Sequence, residues 1–406
     1  MKFPLLASAL ALMSLLTFHR PAVAAAPEPI PWDVKALSQP PRFTDDPAHS
    51  SDEVKALFYD GVPWKGQPTR VFAYYGAPKT QPGKRVPGMV LVHGGGGSAF
   101  IPWVKLWVSR GYAAIAMDTC GSISGGGFNN HPRDAQGGPP GWGGFDQIDD
   151  PVTDQWTYHA VADVILAHSL LRSFPEVDPD KTGITGISWG GYLTCITAGV
   201  DNRFKFAAPV YGCGFLGEDS VWMPDFQKMG PEKSAKWLGL WDPSVYLPKA
   251  RMPMLWVDGT NDFAYPPDSL QKSYRLPRGA RTLCMRVRMV HAHGGPGENP
   301  EEIHAMADAI LRKQTPLARI TKTGREGTTV WATYASASPI TKGELNYTTD
   351  SGEWQKRNWQ TLPATLNAAQ SRVSVELPVG VTAYYFNLTD ARELVVSTEH
   401  ETLTPH

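Results

Sequence analysis

The stretch TGITGISWGGYL, residues 182–193, places one serine, Ser188, among four glycines. An apolar run stops at this serine, and a helical pattern starts directly after it. Gly186 and Gly190 flank Ser188 in a Gly-x-Ser-x-Gly pattern, which is typical of a nucleophile on a sharp strand-to-helix turn. Such a turn strains the serine backbone and leaves no room for side chains beside it. The alternative is an ordinary turn that contains a serine, so the interpretation depends on the rest of the chain.

A serine nucleophile needs a base to take its proton and an acid to orient that base. In the fold that carries this turn, the chain order is serine, then acid, then histidine, each on a loop after a strand. The sequence DGTNDFAYPP, residues 258–267, follows one predicted strand, and HAHGG, residues 291–295, follows another. These segments come in the required order, so we expect a Ser-His-Asp triad.

Two acids and two histidines compete for the remaining triad positions. Asp258 ends its strand and suits a turn-stabilising side chain, whereas Asp262 lies further out and is favoured as the orienting acid. His291 follows its strand directly and is favoured as the base, with His293 as the alternative. A His-x-His metal pair would need a third ligand cluster, which the sequence lacks, so no metal is predicted.

The glycine run HGGGG, residues 93–97, follows a third predicted strand and offers backbone amides without side chains around them. An oxyanion needs such donors. We expect the oxyanion hole to combine the amide of Trp189 with that of Gly95 or Gly96. A phosphate-binding loop is the alternative, but no Lys-Ser/Thr follows the glycines. We therefore predict no cofactor.

Short apolar runs alternate with helical patterns over most of the chain, which indicates an α/β fold with a mostly parallel twisted sheet and helices on both faces. Helices are expected over residues 153–173 and 300–313. The predicted strands cover residues 55–60, 69–76, 86–93, 112–118, 182–188, 204–211, 252–258 and 281–290.

The composition changes along the chain and divides it into regions. Residues 25–54 are predicted to form an extended arm, and residues 55–316 the catalytic domain, with an insertion or lid over residues 212–249. Residues 317–400 show only short β-type runs and predict a small all-β sandwich. Those runs cover residues 328–335, 342–348, 370–377 and 383–388.

The first residues predict export. Lys2 precedes an apolar run over residues 3–18 and small residues over 22–26, which is the pattern of a secretory signal peptide cleaved near Ala24. We therefore expect a periplasmic or secreted protein with no membrane span. The formal net charge is −1, with no basic patch, so nucleic acid is not an expected partner. The four cysteines are expected to be buried free thiols or to form at most one disulfide.

The segments around His93, Ser188, Asp262 and His291 together resemble the α/β-hydrolase superfamily. The similarity covers about residues 55–315 and extends to its prolyl oligopeptidase-like, dienelactone hydrolase-like and acetyl xylan esterase groups. The run RVRMVHAHGGPGENPEEI, residues 286–303, resembles exported bacterial members in which Met-x-His-Gly supplies the catalytic histidine. The resemblance supports His291 and implies the α/β-hydrolase fold and a carboxylic ester hydrolase.

The leading functional hypothesis is an exported serine esterase that acts on a small-molecule or carbohydrate ester, such as an acetylated carbohydrate. Tryptophans in the predicted rim loops would stack on sugar rings. Trp142 and Trp222 are the substrate-binding candidates. Trp237 and Trp241 lie, like Trp222, in the predicted lid. The alternatives are a prolyl oligopeptidase-like exopeptidase and a non-catalytic protein whose C-terminal domain contacts polysaccharide or the cell surface.

Overall fold

A computed structural model describes residues 30–403 of the chain. The predicted signal peptide and the start of the predicted arm lie outside these residues. The helices are α1 (Val34–Leu37), α2 (Ile101–Ser109), α3 (Trp156–Ser173), α4 (Trp189–Val200), α5 (Leu216–Asp219), α6 (Met223–Met229), α7 (Pro231–Trp241), α8 (Pro267–Tyr274) and α9 (Glu301–Arg312).

Strands of the N-terminal two thirds form most of a large sheet. They are β1 (Phe43–Asp46), β2 (Lys55–Asp60), β3 (Arg70–Gly76), β4 (Val86–Val92), β5 (Ala113–Met117), β6 (Val177–Ile187), β7 (Phe206–Val210), β8 (Met254–Gly259) and β9 (Arg281–Arg286). The remaining strands are β10 (Arg319–Glu326), β11 (Thr329–Ala335), β12 (Ile340–Thr348), β13 (Gln360–Pro363), β14 (Thr365–Asn367), β15 (Arg372–Glu376), β16 (Ala383–Asp390), β17 (Val395–Ser397) and β18 (Glu401–Thr402).

The centre of the large sheet is parallel. Strands β5, β4, β6, β7, β8 and β9 are neighbours in that order and run in the same direction. Residues 89–92 of β4 are fully buried, because α2 and α9 cover one face of the sheet and α3 and α4 pack on the strands as well. The α/β fold predicted from the apolar runs is confirmed. The carboxyl ends of the parallel strands lie at one edge of the sheet, and the loops that follow the strands meet there.

Part of the region predicted as an extended N-terminal arm, from Trp32 onward, is attached to the rest of the domain. Strand β1 pairs antiparallel with β2, which pairs antiparallel with β3. The Trp32 side chain is buried, and its Nε1 donates a hydrogen bond to the Tyr158 carbonyl at 2.8 Å. The described arm is therefore fixed at the sheet edge by β pairing and by one buried aromatic ring.

The predicted lid, residues 212–249, connects β7 to β8 and is mostly helical. It contains α5, α6 and α7, where the sequence had indicated loops. Trp237 and Trp241 lie one helical turn apart on α7 and are fully buried. Their indole nitrogens donate to the Gly143 carbonyl and to Gln155 Oε1, so both rings pack the lid onto the domain.

The C-terminal strands form two layers. Strands β10, β11, β15 and β14 make a four-stranded antiparallel sheet, whereas β17, β16, β12 and β13 continue the large sheet beyond β9. Ser397 of β17 pairs with Leu283 of β9. Apolar side chains from both layers, including Val330, Leu345 and Phe386, form one core. The predicted β-sandwich is present, and one of its layers is an extension of the large sheet.

All four cysteines are buried and unpaired. Burial raises the pKa of each thiol, including Cys195 and Cys213 near the carboxyl edge of the sheet. The thiols are therefore held protonated. Of the helices described, none has the length and apolar character that crossing a membrane requires.

Several buried histidines make the folded state sensitive to acid, among them His304 and His159. Burial lowers the pKa of His304 to about 3 and the pKa of His159 to about 4. In an unfolded chain both side chains bind a proton below pH ~6.5. We therefore expect the free energy of unfolding to fall as the pH decreases from ~6.5 to ~4, by up to about 1.4 kcal/mol per pH unit for each histidine.

Urea unfolding between pH 7 and pH 4.5 measures this dependence. The His304→Gln variant, which lacks one of these buried histidines, should show a shallower decrease than the wild type over the same range. Parallel curves for the two proteins would contradict the assignment of a neutral, buried His304.

Candidate active site

Ser188 lies at the junction between β6 and α4 with a strained backbone. Its φ is +58° and its ψ is −120°, a combination that side-chain-bearing residues rarely adopt. Strand β6 ends at Ile187, and the first helical residue is Trp189. This geometry projects the serine from the carboxyl edge of the sheet and places it at a helix N-terminus, where the macrodipole favours negative charge.

The glycines around Ser188 are required by close backbone contacts. A Cβ on Gly190 would lie 2.0 Å from the Val92 carbonyl oxygen, and one on Gly186 would lie 2.2 Å from the Gly190 carbonyl oxygen. A Cβ on Gly191 would lie 2.7 Å from the Val210 carbonyl oxygen. Strands β4, β6 and β7 thus approach α4 closely enough to exclude any side chain at these positions.

His291 is held by Asp262. Its Nδ1 and Asp262 Oδ2 are 2.6 Å apart, and the imidazole stacks on Tyr211 with ring centroids 4.2 Å apart. Asp262 is buried, and its other oxygen accepts hydrogen bonds from the Ala264 and Tyr265 amides at 2.9 and 2.7 Å. Because the carboxylate binds the Nδ1 proton, the Nε2 of a neutral His291 is left as the basic nitrogen.

Asp258, the competing acid, points elsewhere. It is fully buried, and its Oδ1 accepts the Gly259 amide at 2.7 Å. Burial and the nearby Asp262 carboxylate raise the pKa of Asp258 well above its usual value. The structure brings Asp262 and His291 together and leaves Asp258 as a local turn residue.

His293, the competing base, has its own carboxylate partner. Its Nδ1 lies 3.3 Å from Glu298 Oε1, and Glu298 also accepts the Gly294 and Gly295 amides. Burial alone would raise the pKa of Glu298, but the hydrogen bonds from His293 and from the two amides lower it. Glu298 is therefore an anion that orients the His293 ring. No sequence pattern indicated a role for Glu298.

Gly94 brings His293 close to Ser188. A Cβ built on Gly94 would lie 2.8 Å from His293 Nε2 and 3.0 Å from Ser188 Cβ. The serine hydroxyl makes no hydrogen bond to either imidazole within residues 30–403. Hydrogen bonds of this kind are often long in a protein without substrate and shorten when it binds. Sequence reasoning missed Gly94, because four adjacent glycines give no indication of which one meets the serine.

The predicted oxyanion donors lie beside the serine with free amides. In the described part of the chain, the backbone N–H groups of Gly95, Gly96 and Trp189 donate no hydrogen bond to protein atoms. A Cβ on Gly95 would lie 2.7 Å from the Trp189 indole, so the two segments are in direct contact. The loop is fixed by His93, which bridges the Gly94 carbonyl and the Thr119 amide. Burial lowers the pKa of His93, which keeps this ring neutral.

Both tryptophans predicted to bind substrate lie near these groups and are half-buried. Trp142 contacts the His93 ring, with centroids 5.6 Å apart. Trp222 packs against Trp189 at 4.4 Å and against Tyr265 at 5.0 Å. They border the candidate site on two sides. Trp237 and Trp241, by contrast, are too deeply buried to stack on a ligand. No group of three or more His, Cys, Asp or Glu side chains among residues 30–403 is placed to hold a metal ion.

Two family models match the chain. The acetyl xylan esterase (AXE1) model matches residues 40–218, and the prolyl oligopeptidase family model matches residues 147–312. No curated protein sequence matches it.

Solved structures with the same fold include two acetyl xylan esterases. That from Paenibacillus sp. R4 is 25% identical, with a TM-score of 0.56, over 68% of this chain and 92% of that one. That from Thermoanaerobacterium sp. JW/SL YS485 is 19% identical, with a TM-score of 0.54, over 68% of this chain and 91% of that one.

The contacts of Gly190 generate a test of the strained turn. The Gly190→Ala variant should lose at least ~2 kcal/mol of folding free energy, because its methyl group would overlap the Val92 carbonyl. Gly239→Ala is the matched control: this glycine is also helical, and no atom lies within 4 Å of the added methyl group. The control should be neutral or stabilised by up to about 1 kcal/mol. Urea unfolding measures both, and equal stabilities would contradict the close approach.

Proposed function

Because the chain belongs to the α/β-hydrolase superfamily, we propose that this serine hydrolase cleaves carboxylic esters with Ser188 as nucleophile, His291 as base and Asp262 as orienting acid. The observations that support the assignment are the 2.6 Å contact between His291 Nδ1 and Asp262 Oδ2 and the strained backbone of Ser188. Three segments distant in sequence supply these groups, in the chain order that is typical of the α/β-hydrolase fold.

The proposed reaction proceeds through an acyl-enzyme. The Ser188 oxygen attacks the ester carbonyl carbon while His291 Nε2 takes the hydroxyl proton. The carbonyl oxygen becomes an oxyanion, which accepts hydrogen bonds from the Trp189 amide and from Gly95 or Gly96. Collapse of this intermediate breaks the bond to the alcohol oxygen, which receives the proton from His291. Water then attacks the acyl-enzyme by the same steps, with His291 as base and then as acid, which releases the carboxylic acid and restores Ser188.

Asp262 acts through His291 and does not touch the substrate. Its two amide hydrogen bonds fix the carboxylate, and the carboxylate fixes the imidazole and stabilises it when it is protonated. The Asp262 carboxylate is buried, so its electrostatic interaction with His291 is less screened by solvent than that of an ion pair at the surface.

The ester class is favoured over the amide class by the acetyl xylan esterase model, which spans the HGGGG loop and Ser188. The 25% identical acetyl xylan esterase structure supports the same choice. Acylated carbohydrate is the proposed substrate class, because half-buried Trp142 and Trp222 border the site and suit stacking on sugar rings. We also propose that the chain is exported, on the basis of the sequence at residues 1–26.

An exopeptidase is the second candidate. The prolyl oligopeptidase family model covers Ser188, Asp262 and His291 together. Purified protein should therefore be assayed with p-nitrophenyl acetate and acetylated xylan, and in parallel with aminoacyl-proline amides. Turnover of the esters supports the proposal, whereas turnover of the amides alone would replace it with the peptidase.

The nucleophile is tested by covalent labelling. A fluorophosphonate probe should label the wild type and leave the Ser188→Ala variant unlabelled, because only an activated serine reacts. Ser109→Ala, which alters an exposed serine on α2, is the matched control and should label like the wild type. Absence of labelling in the wild type would favour a non-catalytic binding protein.

The two histidines are separated by their kinetics. His291→Ala should lower kcat by about 10⁴-fold, because the base and the proton donor to the leaving group are both lost. His293→Ala leaves the His291–Asp262 pair intact and should cost less than about 100-fold, as expected for a small displacement of the loops. Thermal unfolding of both variants checks that the fold is retained. The reverse order of losses would assign the base to His293.

A further inference from the structure

A cavity of about 540 Å³ lies beside the candidate site. One wall is the glycine loop, from Gly96 to Phe100, and another is the loop that carries His293 and Glu298. Helix α2 and Phe128 complete it. A cavity of this size accepts a group much larger than acetyl, whose methyl group would leave most of the volume unfilled.

The cavity begins next to the proposed nucleophile. Gly97 and His293 line it, and His293 Nε2 lies against Gly94, which contacts Ser188. A substrate held at Ser188 can therefore extend one of its ends into the cavity.

The lining of the cavity is mostly apolar. Its large apolar side chains are those of Phe100, Trp103, Leu106 and Phe128, and the polar side chains of His131, His293, Glu298 and Asn299 also line it. Phe128 is 72% exposed, although it packs over Gly96. Exposed apolar groups concentrated at one site indicate that an apolar ligand covers them.

The position of His291 identifies which end of the ester enters the cavity. A general acid must contact the leaving oxygen, so the alcohol lies on the His291 side of Ser188. The aromatic neighbours of His291 are Tyr211, Phe263 and Tyr265, and none of them lines the cavity. The group in the cavity is therefore the acyl group.

We propose that this cavity is the acyl site of the enzyme and that it selects aryl or branched alkyl acyl groups over acetyl. The inference rests on the proposed function, since it assigns one end of the ester that Ser188 attacks. Burial of an apolar group against Phe100, Trp103 and Leu106 supplies the preference, because each buried methylene contributes favourably to binding.

The acyl series of p-nitrophenyl esters tests the proposal. With the alcohol fixed, kcat/KM should rise at least about tenfold from acetate to isobutyrate and to benzoate. In an acetyl series, benzyl acetate and methyl acetate should differ much less. A preference that appears in the alcohol series instead would overturn the assignment of the acyl group.

Two variants change the cavity in different ways. Leu106→Trp fills it, and Phe128→Ala removes its exposed wall, so both should lower the benzoate-to-acetate ratio of kcat/KM by roughly tenfold. Phe43→Ala is the matched control, since Phe43 is an exposed phenylalanine on β1 and does not line the cavity. An unchanged ratio in both cavity variants would overturn the proposal.

Binding of uncleaved esters to the Ser188→Ala variant tests, independently of catalysis, whether the cavity prefers a large acyl group. Methyl benzoate should bind at least about tenfold more tightly than methyl acetate in calorimetry, and adding Leu106→Trp should abolish the difference. If the wild type cleaves esters without acyl preference, the cavity proposal fails and the esterase stands. If no ester is cleaved, the esterase proposal fails and the acyl-site assignment fails with it, even where methyl benzoate binds selectively.

Discussion

The left-handed backbone of Ser188 is the constraint on which the remaining structure depends. Strand β6 must pass directly into α4 for the serine to adopt a φ of +58°, and this forces α4 to within contact distance of β4 and β7. Only glycine fits at the resulting contacts, because the nearest atoms are backbone carbonyls that cannot move aside. The strain is maintained by a buried parallel sheet on one side and a helix on the other.

Around that turn, the structure pairs each histidine with a carboxylate. His291 is held by Asp262 and His293 by Glu298, and both carboxylates are buried and hydrogen-bonded to backbone amides. The two pairs differ in position. His291 packs against the aromatic rings of Tyr211 and Phe263, whereas His293 and Glu298 line the apolar cavity. This arrangement gives the two histidines different proposed tasks, although they are two residues apart.

Much of the fold could be predicted because apolar runs in a parallel sheet are continuous. Strand β2 was predicted with its observed bounds, and α9 to within one residue at each end. Helix α2 was not among the predicted helices; it has a proline, Pro102, in its first turn and follows closely on the four glycines of residues 94–97. The helices of the lid were missed because their tryptophans are buried against a neighbouring loop, and this contact is invisible in a local pattern. Strand β9 is shorter than predicted, ending at Arg286, because the chain turns back toward Thr260 to present His291.

The sequence by itself determined the α/β fold, the strained serine and the order of the candidate catalytic segments. These depend on local patterns of glycine, of apolar residues and of strand ends. The tertiary structure decided which acid meets which histidine, that Glu298 orients His293, and that Trp237 and Trp241 are buried while Trp142 and Trp222 border the site. It also produced the cavity between the glycine loop and α2. These features arise from side chains that meet across tens to hundreds of residues, and neither spacing nor composition encodes such contacts.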